Sequence, residues 1–87
     1  MFFHLTYEIA PPDRDTAQQR FKATGGLPPE GVTMHSRWHS AAGHCGYIIA
    51  ESTDALAIGK WTQAWTDVIA FEVTPVINDE EAAEMIG

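Results

Sequence analysis

Thr33-Met-His-Ser-Arg-Trp-His39-Ser-Ala-Ala-Gly-His44-Cys-Gly-Tyr-Ile-Ile-Ala-Glu51 reads as two strands joined by a short turn, Ser40 to Gly43. Side chains alternate between the faces of a strand, so one register assigns every residue to a side. A hairpin with His39 opposite His44 puts Met34, Ser36, Trp38, Cys45, Tyr47 and Ile49 on one face. His35, Arg37, His39 and His44 fall on the other, with Arg37 opposite Gly46 and His35 opposite Ile48. The first set is expected to pack on a core. The second is expected to form a polar, titratable back to the sheet.

Outward from this hairpin the chain repeats one theme on each side. Phe2 to Ile9 alternates Phe3, Leu5, Tyr7 and Ile9 with His4, Thr6 and Glu8, which is strand periodicity. Ala10-Pro11-Pro12 ends that strand, and Asp13 is placed to cap a helix to about Thr24. The stripe of this helix is thin, chiefly Ala17 and Phe21, and Gly25-Gly26 supplies a left-handed stop. After the hairpin, Ser52 or Thr53 is expected to cap a helix to about Trp65. Its inward positions are Ala57, Ile58, Trp61, Ala64 and Trp65. Val68 to Val76 is a fourth strand, and Asn78 with Glu81 fits a capping box for a last short helix.

The order β-α-β-β-α-β, with right-handed crossovers, gives an α+β ferredoxin-like domain over residues 1–87. The predicted sheet order is 4-1-3-2, with both helices on one face. The other face is uncovered. A chain of this size buries only roughly 60–65% of its unfolded surface. Cys45 is the only cysteine, so no disulfide within the chain reinforces it. A homodimer formed through the uncovered face is therefore expected. A lone cysteine suits a reducing compartment, and the start of the chain has neither a basic segment nor a long apolar run. A cytoplasmic protein without a membrane segment is the expectation.

The formal charge is −7, with 12 acidic against 5 basic residues. Asp79, Glu80, Glu81 and Glu84 concentrate the acids near the end of the chain. Nucleic acid binding needs a basic footprint, and none exists here. There is also no phosphate loop after a strand, no Cys-x-x-Cys and no helical histidine pair. His39 and His44 as opposed residues lack an evident third ligand, so no metal and no cofactor is expected.

Gly31-Val32 to Arg37-Trp38-His39 and the closing Phe71-Glu72-Val73-Thr74-Pro75-Val76 resemble an uncharacterised family of bacterial proteins of about ninety residues. That family carries a domain-of-unknown-function label and resembles the dimeric α/β-barrel superfamily. The resemblance implies two sheets packed face to face with helices outside, and it brings no catalytic residue. Members of the superfamily include cofactor-independent oxygenases, one group with an Asn, Trp and His constellation. This chain has Trp38 and His39, but its only asparagine is Asn78, which reads as a helix cap.

Candidate ligand-binding residues are His35, Arg37, His39, His44, Glu72 and His4. A buried guanidinium needs a carboxylate or a bound anion. For Arg37 the carboxylates in the chain are Glu8 and Glu72, and Gly46 opposite it would leave a hollow. The leading expectation is a dimeric binder of a small, anionic molecule in the barrel interior. An oxygenase or isomerase of the dimeric-barrel type, with His4 as a possible base, and a purely structural or interaction module are the alternatives.

Overall fold

A computed structural model describes all 87 residues. The strands are β1 (Phe2–Glu8), β2 (Thr33–His39), β3 (Cys45–Glu51) and β4 (Ala70–Val76). The helices are α1 (Arg14–Thr24), α2 (Ala55–Gln63) and α3 (Asp79–Ile86). The sheet order is β2-β3-β1-β4, which is the expected order seen from its other edge. All neighbouring strands are antiparallel, so each helical crossover joins parallel strands that are not adjacent.

The inner face of β1 follows the alternation read from the sequence. Phe3, Leu5 and Tyr7 are buried and oppose Ala50, Ile48 and Gly46 on β3. Ile58 and Trp61 of α2 close over Phe3, Leu5, Val32, Ile48 and Ala50 as the main core. A smaller cluster joins Tyr7 and Ile9 to Ala17 of α1. Only 12 of the 87 residues are buried, a small core for a chain with no covalent reinforcement.

The hairpin departs from the expected register. Met34 opposes Ala50, but the next pair is Ser36 with Ile49, so His35 is an extra residue in a β-bulge. Such an insertion exchanges the faces of everything beyond it. Arg37 and His39 consequently point toward the helices, opposite Ile48 and Gly46. Trp38 and Tyr47, expected in the core, are a directly opposed pair on the outer face, 62% and 45% exposed. On β3 the inward residues are Gly46, Ile48 and Ala50 rather than Cys45, Tyr47 and Ile49. Two adjacent isoleucines leave the period ambiguous there, and β1 decides it by pairing.

Helix ends follow local chemistry. Gly25 has φ 73°, and its N–H donates to the Phe21 carbonyl. The cap of α2 is Asp54, which accepts from the Leu56 N–H, not Ser52 or Thr53. Ser52 is buried instead and donates its hydroxyl to the Gly31 carbonyl at 2.8 Å, pinning the entry of β2. Asn78 and Glu81 form the expected capping box. Yet α3 buries no residue and leaves Met85 and Ile86 exposed. The radius of gyration is 14.1 Å, against about 12 Å for a compact chain of this length.

Candidate functional site

Three inward residues at one end of the sheet form a polar cluster. Tyr7 and His39 each oppose Gly46, from β1 and β2 respectively. The Tyr7 ring lies across the bare backbone of Gly46, and its hydroxyl reaches His39 Nδ1 at 2.6 Å. A Cβ on Gly46 would meet the Tyr7 ring, with Cζ at 2.9 Å, and would strike the Trp38 carbonyl. The hollow expected beside Gly46 is thus occupied by the tyrosine. A glycine inside a strand signals this kind of close approach.

Arg37 lies on the same face of β2 as His39. Its guanidinium donates to the Gly26 and Gly25 carbonyls at 2.8 and 2.9 Å. The left-handed turn after α1 presents those carbonyls, with φ 73° and 57° at the two glycines. A side chain at Gly26 would press on Arg37 Nη1 at 3.0 Å and on the Phe21 ring. Phe21 lies under the guanidinium, 4.9 Å from ring centroid to Cζ, and meets His39 edge-on at 5.5 Å between centroids.

These groups border a cavity of about 250 Å³ between the sheet and the helices. Leu5, Ile9, Ile48 and Phe71 line its sheet side, with Trp61 and Trp65 opposite and Phe21 and Gln18 from α1. No aspartate or glutamate lines it. The ion pairs of the molecule are Arg14–Asp15, Arg20–Asp67 and His35–Glu51, so Arg37 has no carboxylate partner. Glu8 and Glu72, considered as its partners, lie on the outer face.

The environment moves three protonation equilibria. Burial pushes the Tyr7 hydroxyl up, the Cys45 thiol adds to this, and Arg37 opposes it. Burial lowers Arg37, and Tyr7 partly restores it. Burial and then the Arg37 charge lower His39. At neutral pH the cluster is therefore a phenol, a neutral imidazole and a cation.

The family model described as "Domain of unknown function (DUF3303)" matches residues 1–87. The chain belongs to the DUF3303 family. It is also similar to the structure of Rv0793 from Mycobacterium tuberculosis, at 12% identity and a TM-score of 0.54. That match covers 90% of this chain and 96% of the other, and at such identity it speaks to the fold alone. A search of curated proteins finds no match.

The remaining candidates of this DUF3303 chain are dispersed. His35, in the bulge, pairs with Glu51 at 2.9 Å. His4 is on the outer face, with its ring 5.8 Å from that of Tyr47. Glu72 is exposed on the outer face of β4. His44 precedes β3, and its Nδ1 is buried without a partner. Only Arg37 and His39 of the six candidates meet at the cavity. Tyr7, the third member, was hidden because its β-favouring aromatic character reads as core. No three histidine, cysteine or acidic side chains gather to hold a metal ion, and no helix is long and apolar enough to cross a membrane.

Proposed function

We propose that this DUF3303 chain is a homodimeric protein that binds a small apolar anion between its sheet and its helices. The observation that carries this reading is Arg37, a half-buried cation facing an apolar cavity with no acid in it. A guanidinium has five N–H donors, and two of them serve the Gly25 and Gly26 carbonyls. Those two bonds fix the group in place, and the remaining donors suit a carboxylate. Phe71, Trp61 and Trp65 offer the apolar surface that an aromatic or aliphatic body requires.

Support for the dimer comes from the outer face. Trp38 and Tyr47 stand there with large exposed area, beside Phe2, His4 and Ile49. Four strands of seven residues span roughly 23 by 19 Å. Two such faces, with side-chain relief, approach the ~1,000 Å² that a specific interface needs.

The test is calorimetric titration with hydrocinnamate and with the neutral phenylpropanol. Hydrocinnamate is expected to bind, phenylpropanol much more weakly, and Arg37→Met should abolish the difference while the protein stays folded and dimeric. Equal affinity for acid and alcohol in the wild type would sink the reading.

A further inference from the structure

We propose that Tyr7 and His39 form a proton-transfer pair that interconverts the keto and enol forms of an apolar oxo acid held by Arg37. This deepens the anion-binding reading and rests on it. Three observations carry it. The pair shares a hydrogen bond of 2.6 Å, His39 stands exposed while Tyr7 is buried, and both border the cavity that Arg37 faces.

A neutral imidazole and a phenol can share one hydrogen bond in two ways, because a hydroxyl both donates and accepts. With the proton on His39 Nδ1, that N–H donates to the Tyr7 oxygen. Nε2 then carries a free lone pair, and the Tyr7 hydroxyl proton is free to point elsewhere. With the proton on Nε2, the Tyr7 hydroxyl donates to Nδ1.

The first arrangement has a base and an acid side by side, and the reaction follows from it. Nε2 takes a proton from the carbon next to the substrate carbonyl. The C–H electron pair becomes the C=C bond, and the carbonyl π pair moves onto oxygen. That oxygen receives the Tyr7 hydroxyl proton, and the Tyr7 oxygen recovers one from His39 Nδ1. The ketone has become the enol, and the pair has passed to its second arrangement. Enol to ketone is the same path reversed. No oxidant, reductant or cofactor enters the balance. His39, being exposed, returns to its starting form by exchange with water. Arg37 holds the carboxylate and disperses the charge developing beside it. The neutral state of the imidazole and the protonated state of the phenol at neutral pH suit these roles.

The test uses phenylpyruvate in D2O. Proton NMR follows loss of its benzylic methylene signal, and calorimetry measures binding of the same compound. Wild-type protein is expected to bind it and to replace the benzylic hydrogens faster than buffer alone. Positioned acid–base groups contribute about a hundredfold or more. His39→Gln should lose that acceleration while still binding, and Tyr7→Phe should reduce it with binding retained. Binding without acceleration in the wild type, or undiminished exchange in His39→Gln, overturns proton transfer and leaves the anion site standing. Absence of binding overturns both.

Discussion

The Tyr7 hydroxyl on β1 meets Nδ1 of His39 on β2 at 2.6 Å across an intervening strand. Two strand spacings separate their backbones, about 9.6 Å. A tyrosine covers that distance only by lying flat, and it lies flat only because Gly46 has no side chain. Three strands thus contribute one residue each to a single contact: the reach, the gap and the ring nitrogen.

Gly46→Ala tests that arrangement. The new methyl must displace the Tyr7 ring and push on the Trp38 carbonyl. Forcing volume into a packed site costs about 1–3 kcal/mol. Urea denaturation should register that loss, and the nitrogen resonances of His39 should lose the signature of their phenol partner. An alanine variant as stable as the wild type, with the contact intact, would contradict the geometry.

Acid should weaken the fold through His39. The groups facing it are Tyr7 and Arg37 from the sheet and Phe21 from α1. The folded state holds the imidazole below its ordinary value of 6.5. As pH falls, the unfolded chain binds this proton first, so stability is complete above about 6.5 and is lost below it. The urea midpoint should fall between pH 7.5 and 5.5 in the wild type (~7.5 and ~5.5 bracket the histidine range). His39→Gln should flatten that segment. An identical slope in both proteins would assign the effect elsewhere.

Much of this fold was legible because it follows from short-range rules. Proline and glycine placed the breaks, the Asn78–Glu81 box placed α3, and the period of β1 placed its faces. The hairpin was not legible in the same way. A one-residue bulge at His35 leaves no mark in the alternation before it, yet it exchanges Arg37 with Trp38. The candidate site inherits that difference, since Arg37 and His39 lie on the helix side of the sheet and not on its uncovered face. The contact of Tyr7 with His39 was invisible in the sequence because it depends on a glycine thirty-nine positions from Tyr7.

Asn78→Ala should loosen α3 without unfolding the domain. The substitution removes the bond from the Glu81 N–H, at 2.8 Å, and with it the capping box. Losing such a cap costs about 1 kcal/mol of helix stability. Because α3 buries no residue, the cost should remain local. Hydrogen exchange should quicken in α3 alone, with the global urea midpoint unchanged. A lowered midpoint would mean that α3 is held against something, and a second copy of the chain is the first occupant to examine.

Trp38 and Leu5 should separate folding from assembly. Leu5 is fully buried at the centre of the sheet, so Leu5→Ala should cost about 2–5 kcal/mol in the monomer fold. Trp38 resembled a core residue in the sequence, where truncation would carry a similar penalty. At 62% exposure and paired with Tyr47 on the uncovered face, it has little intramolecular packing to lose. If that face joins two chains, Trp38 is its largest aromatic anchor, and central aromatic anchors account for a large share of binding energy. Trp38→Ala should therefore leave the unfolding of isolated chains nearly unchanged. Sedimentation equilibrium should show the dimer dissociation constant rising by about tenfold or more, the equivalent of roughly 1.4 kcal/mol. A wild type that sediments as a monomer at micromolar concentration would remove the interface altogether, while leaving the Arg37 cavity, whose lining comes from one chain, open to its own test.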